Sequence, residues 1–128
     1  MNEEIKILII EDELLFAKLC KDFLEERGFS ISVAFDGLEG LEKFEKERPD
    51  LVILDLILPR LSGQEVLQKI RENPDQKLAK IPVIVLTNLS QEEEEKLKKL
   101  GADCYLVKTS ITAEDLLVKV KEFLGKSS

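Results

Sequence analysis

The chain has 128 residues, 44% hydrophobic and 35% charged, which suits one soluble globular domain (residues 1–128, core about 5–124) able to bury a core of its own. Its net charge of -7 argues against nucleic acid or an anionic membrane as a direct partner, and the absence of a leader pattern or a long apolar stretch predicts a cytoplasmic protein with no membrane association. With no histidine, and with Cys20 and Cys104 far apart, a zinc site is disfavoured and two buried free thiols are expected.

In chain order, the apolar run Ile5 to Ile10 ends on two acids, Glu11 and Asp12. Helical spacing follows at Leu15, Leu19 and Phe23, and again at Leu38, Leu41 and Phe44, where Gly37 and Gly40 read as a turn and a small helix position. The run Leu51 to Leu54 closes on Asp55, a third helix carries Val66, Leu67 and Ile70, and the run Val83 to Leu86 ends at Thr87. The fourth helix, Gln91 to Lys99, is nearly all charged, with only Leu97 and Leu100 offering apolar contact. Ser90 and Glu93 suggest a capping box there, and Glu92 to Glu95 read as a solvated face paired with Lys96, Lys98 and Lys99. Low burial would make that helix easy to shift. The run Cys104 to Val107 ends at Lys108, and the fifth helix shows one stripe of Leu116, Leu117, Val120, Phe123 and Leu124, with Thr112 and Asp115 as its capping box.

Five strand–helix alternations predict an α/β fold, a doubly wound five-stranded parallel sheet with helices on both faces. The order 2-1-3-4-5 puts strands one and three side by side, and ligands in such sheets bind beyond the carboxyl ends of the strands. Glu11, Asp12 and Asp55 would then converge at one edge. Clustered carboxylates repel unless a cation sits among them, and Mg²⁺, or Mn²⁺, is the expected one because it prefers hard oxygen ligands. Thr87 and Lys108, each closing a separate run, bring a hydroxyl and an ammonium to the same place.

These residues, together with Asp55-Leu56-Ile57-Leu58-Pro59-Arg60-Leu61-Ser62-Gly63, in which Pro and Gly follow the Asp by four and eight positions, resemble the receiver domain of two-component response regulators. The resemblance runs from Ile5 to Leu124 and includes Asp36-Gly37, Gly101-Ala102-Asp103 and Tyr105, three residues before Lys108. It implies a flavodoxin-like (βα)5 fold in which Asp55 accepts a phosphoryl group. It also implies that Asp12, Asp55 and the backbone carbonyl of Ile57 hold Mg²⁺, with Glu11 acting through water. The family usually has Pro after the Lys, often with a cis bond; here Thr109 follows, and a trans bond is expected.

The implied role is a phosphoacceptor regulatory domain that assists its own phosphorylation and dephosphorylation, rather than an enzyme. A sensor histidine kinase or phosphotransfer protein would be the donor, since this chain has no histidine of its own to donate from. Lys108 would add positive charge opposite the cation, and Thr87 and Lys108 would bind the new phosphate. That would draw the loop after strand four inward and give Tyr105 room to rotate. The face formed by the fourth helix, the fifth strand and the fifth helix would then be read by a phospho-dependent homodimer or an output protein. By the same resemblance Ile57 and Leu89 flank the path of the hydrolytic water and, being aliphatic, predict a long-lived phosphorylated state. Two alternatives are a haloacid-dehalogenase-type phosphatase, which normally needs a second Asp where Ile57 stands, and a receiver-like interaction module that is not phosphorylated. Nucleotide binding is weaker still, without a Walker loop or G-x-G-x-x-G.

Overall fold

Each apolar run does become a strand, because parallel strands covered on both faces need unbroken Val, Ile and Leu rather than alternation. The computed structural model describes residues 4–88 and 94–125. Within them β1 (Lys6–Ile10), β2 (Ser30–Ala34), β3 (Leu51–Leu54), β4 (Val83–Thr87) and β5 (Cys104–Val107) pair in parallel in the order β2-β1-β3-β4-β5. Ile10 lies opposite Leu54, so the residues that follow them leave the sheet side by side.

The helices are α1 (Leu14–Glu25), α2 (Gly37–Glu47), α3 (Gly63–Arg71), α4 (Gln76–Ala79), α5 (Glu94–Leu100) and α6 (Ala113–Gly125). The single turn α4 has no counterpart in the sequence reading. It is capped by Asp75, whose carboxylate accepts from the Lys77 amide at 2.9 Å, and it makes the fourth and fifth helices of the sequence reading α5 and α6. The capping box of α6 forms as expected, with Asp115 N donating to Thr112 Oγ1 and Thr112 N donating to Asp115 Oδ2, both at 3.1 Å. Ser90, Glu93 and Leu89 lie outside the described residues.

The sheet divides the core in two. Leu8, Ile10, Val52, Leu54, Val83 and Val85 meet Phe44 of α2 and Val66, Leu67 and Ile70 of α3 on one face. On the other, Ile7, Ile9, Leu51, Ile53, Ile84 and Leu86 meet Leu24 of α1 and Leu116 and Val120 of α6. The α3 and α6 stripes face the sheet as expected.

Two helices turn otherwise. Leu15 and Leu19 of α1 are 72% and 60% exposed, while Ala17 and Leu24 are buried and Phe16, Cys20 and Phe23 half-buried behind them. Both stripes satisfy helical spacing, and the one carrying the aromatic rings covers more sheet. In α2, Leu38 is exposed, whereas Leu41, Phe44 and the small Gly40, which sits against Ile10, face inward. Of the two apolar contacts expected of the charged helix α5, Leu100 is exposed as well, and the Leu97 side chain lies outside the described ones. Cys20 and Cys104 are free but half-buried rather than buried, since each sits on the margin between a helix and the sheet.

Arg71, at the end of α3, ties several elements together. Its guanidinium donates to the carbonyls of Gly101, Ala79 and Ile81 at 2.8, 2.9 and 2.7 Å and to Asp103 at 2.8 Å. Asp103 also accepts from the Val83 amide at 2.8 Å. Gly101 has φ 106°, and a Cβ there would meet the Arg71 side chain at 2.9 Å, which explains the Gly101-Ala102-Asp103 sequence. Burial lowers the Arg71 pKa and Asp103 opposes that shift.

Candidate functional site

Strand alternation decides which face each terminal side chain takes. Ile7 and Ile9, Leu51 and Ile53, and Cys104 and Leu106 all point to the side of α1 and α6. Two residues further along, Glu11, Asp55 and Lys108 continue that side. Thr87 continues Val83 and Val85 and arrives from the opposite face. Backbone bonds hold the ends together: Glu11 N to Ala34 O at 2.9 Å, Asp55 N to Ile10 O at 3.0 Å, and Lys108 N to Thr87 O at 3.0 Å.

Lys108 is the centre of charge. Its Nζ lies 2.5 Å from Glu11 Oε1, 2.7 Å from Glu13 Oε1 and 3.2 Å from Asp55 Oδ2, and it stands 4.6 Å from the centroid of the Phe16 ring. Burial works against its charge, but the bonds to Glu11 and Glu13 and the charge of Asp55 prevail and hold its pKa above the usual lysine range. Glu11 is nearly fully buried, and that burial pushes its pKa up to about 7; the Lys108 ammonium and a hydrogen bond from the Glu13 amide oppose the rise, and the Asp55 charge adds to it. One ammonium does not balance this many carboxylates.

Among the described residues, two buried side-chain atoms have no hydrogen-bond partner, Glu11 Oε1 and Thr87 Oγ1. The Lys108 contact to Glu11 Oε1 is thus a close ion pair lying off a hydrogen-bond direction. Carboxylate oxygens of Glu11, Asp12 and Asp55 lie within 4.8 Å of one another. An acidic cluster of hard oxygens, one of them unsatisfied, fits a divalent cation of the Mg²⁺ or Mn²⁺ kind.

Asp12, Glu13, Asp55, Ile57, Thr87, Asn88 and Lys108 line a cavity of about 180 Å³ over this cluster. Ile57 is 66% exposed at its mouth, and its amide donates to Asp55 Oδ1 at 3.3 Å. Tyr105 is half-buried on β5 against the α3 side of the core and does not line the cavity. All peptide bonds of the described residues are trans, including Lys108 to Thr109.

The glycines of the motif are needed for close approach. Gly63 N donates to Leu56 O at 2.9 Å, and a Cβ at Gly63 would stand 2.3 Å from Asp55 O. A Cβ at Gly37 would stand 2.2 Å from Leu61 O. Gly37 N donates to Pro59 O at 3.3 Å, and Asp36 pairs with Arg60, which has φ 72°, at 3.4 Å. The Asp36-Gly37 pair therefore braces the loop that follows Asp55.

Sequence reasoning missed Glu13 and Asn88. Glu13 had a signal, since it extends the acid pair to three consecutive acids.

The chain is similar to known proteins in both sequence and fold. The family model of the response regulator receiver domain matches residues 7–121. The alkaline phosphatase synthesis transcriptional regulatory protein PhoP of Bacillus subtilis is 38% identical over 95% of this chain and 49% of its own length, so the chain spans about half of that relative. The polar-differentiation response regulator DivK of Brucella anthropi is 33% identical over 93% of this chain and 95% of its own. Among solved structures, the Francisella response regulator 1452 receiver domain superposes with a TM-score of 0.89 at 29% identity, covering 98% of this chain and 100% of that one. The beryllofluoride-activated receiver domain of Klebsiella pneumoniae RstA gives 0.82 at 28%, covering 93% and 97%.

Proposed function

Since the chain belongs to the response regulator receiver domain family of two-component signalling, we propose that Asp55 is its phosphoacceptor and that Asp12, Asp55 and the Ile57 carbonyl, with Glu11 through water, hold Mg²⁺. The observation that carries this reading is the convergence of Glu11, Asp12 and Asp55, the last two lining one cavity, with Lys108 bonded to Asp55. An Asp55 oxygen attacks phosphorus, the bond from phosphorus to a partner's imidazole nitrogen breaks, and the imidazole leaves with that electron pair. Lys108 compensates the charge on the transferring oxygens, and the partnerless Thr87 hydroxyl donates to one of them once transfer is complete. A bound Mg²⁺ supplies further charge neutralisation at these oxygens. Ile57, exposed at the mouth, offers no polar group to orient a hydrolytic water; with Leu89 it makes the acyl phosphate long-lived. It also leaves the site without the second acid of a haloacid-dehalogenase-type phosphatase.

The donor is a sensor histidine kinase or a phosphotransfer protein, in the cytoplasm; no helix among the described residues is long and apolar enough to cross a membrane. Phosphorylation shifts a pre-existing equilibrium through Thr87 and Tyr105 toward a form read on α5, β5 and α6 by a second copy or an output protein. Hydrogen exchange protection of Tyr105 and α6 in the phosphorylated complex tests that face, and protection over α2 and α3 instead would refute it. The primary experiment is intact mass after acetyl phosphate with Mg²⁺. One phosphoryl group is expected on the wild type and none in EDTA or in Asp55→Asn; undiminished labelling of Asp55→Asn would refute the assignment.

A further inference from the structure

We infer that Glu13 competes with the incoming phosphoryl group for Lys108, so that this one exposed acid sets how readily the pocket takes up its ligand; the inference rests on the phosphoacceptor reading of Asp55. An ammonium has three N–H donors and no more. At Lys108 two of them donate to Glu13 and Asp55, the Glu11 carboxylate closes on the ammonium as an ion pair without a hydrogen bond, and the side chain is only 5% exposed. With three carboxylates packed against it, the Lys108 ammonium is reached by a phosphoryl oxygen on Asp55 only when one of them gives way.

The three differ in what release costs. The Glu11 side chain is 3% exposed and holds the Glu13 amide at 3.0 Å, so freeing it from Lys108 leaves a buried charge without its counter-ion. Asp55 carries the phosphoryl group itself. The Glu13 side chain is 60% exposed, and water replaces Lys108 as its partner at little cost. Glu13 is the carboxylate that leaves.

The start of α1 supports the same assignment. Glu13 occupies the N-cap position but makes no side-chain cap hydrogen bond, although the first-turn amides of a helix lack intrahelical acceptors. Its carboxylate is turned to Lys108 instead. It also places a negative charge at the rim of a pocket whose ligand is an anion, which opposes entry.

Calorimetric titration with beryllofluoride in excess Mg²⁺ tests this on the wild type, Glu13→Gln and Glu13→Asp. The Gln variant removes the charge and weakens the acceptor, so its affinity should rise about threefold to tenfold at low salt, with the gap narrowing as salt screens the exposed charge. The Asp variant keeps the charge but is one methylene shorter; it falls away from Lys108 and caps the Phe16 amide, and its affinity should also rise, by less. Unchanged or weaker binding by Glu13→Gln overturns the inference, and so does a gain in Glu13→Gln without any in Glu13→Asp, which would leave only repulsion at the rim. A gap insensitive to salt overturns it too, because a purely structural effect of the substitution would not be screened. Absence of beryllofluoride binding by all three proteins overturns the reading of Asp55 first, and this inference with it.

Discussion

Replacing Gly63 by alanine puts a methyl group where the backbone of Asp55 and Leu56 already stands. The new Cβ would lie 2.3 Å from Asp55 O and 2.5 Å from Leu56 Cα, whereas comfortable contacts between heavy atoms begin near ~3.5 Å. No rotamer change relieves a clash with backbone, so the first turn of α3 must retreat by about 1 Å. That stretches the 2.9 Å bond from Gly63 N to Leu56 O beyond useful length. Overpacking of this severity costs about 2–3 kcal/mol and the lost bond about 1 kcal/mol, offset by about 0.5–1 kcal/mol from the better helix propensity of alanine. The net loss is about 3 kcal/mol, or roughly 10–15 °C in melting temperature for a domain of this size. Gly28→Ala is the control: its φ is 94° but nothing lies within 4 Å of the new methyl, so it should lose about 1–2 kcal/mol from backbone strain alone. Because the retreat also displaces Asp55, Gly63→Ala should bind beryllofluoride more weakly, while Gly28→Ala should not. Thermal melts of the three proteins decide the matter. Gly63→Ala melting within about 3 °C of the wild type, or above Gly28→Ala, would refute the steric reasoning.

Lys108→Met leaves Glu11 and Asp55 buried without a counter-charge; it should cost about 3 kcal/mol in EDTA and distinctly less in excess Mg²⁺, and urea unfolding showing equal losses in both would contradict the shared-cation picture. Ile57→Asn combined with Leu89→Glu should speed loss of the phosphoryl group by ~10-fold or more, a barrier change of about 1.4 kcal/mol; equal phosphate-release half-lives would remove both residues from the water's path. Burial pushes the Cys20 thiol up to about 11, so at pH 8 a thiol reagent should label native Cys20 about 100-fold more slowly than the unfolded chain, and comparable rates would contradict that environment.

The sheet and the chemistry at its edge were legible because both depend on local sequence. A strand buried on two faces must read as an unbroken apolar run, and a charged side chain at its end must interrupt that run, as Asp55 and Lys108 do. Helix orientation was less legible. Leu15, Leu19 and Phe23 are spaced as well as Phe16, Cys20 and Phe23, and only the sheet beneath selects between the stripes. Glu13 read as an ordinary acid at a helix start, because its partner lies 95 residues away. The turn α4 is four residues long, too short for any periodicity, and depends on a cap rather than a stripe.

The Arg71 guanidinium, with its carbonyls and carboxylate, has a mechanical consequence. It fixes the residue that follows α5 to the end of α3, while the described side chains of α5, Glu95, Lys96, Lys98, Lys99 and Leu100, are exposed. A rod held at one end, with these five side chains turned to solvent, responds to a pull at the other by swinging rather than sliding. Seven residues make a lever arm of about 10 Å, its fulcrum at Gly101 and its driven end toward Thr87. Any tug on the loop after β4 therefore produces its largest displacement close to the site and almost none at the bottom of the sheet. Shortening the arm or loosening the fulcrum, for instance with Arg71→Met, would alter the gain of the proposed switch without touching the pocket.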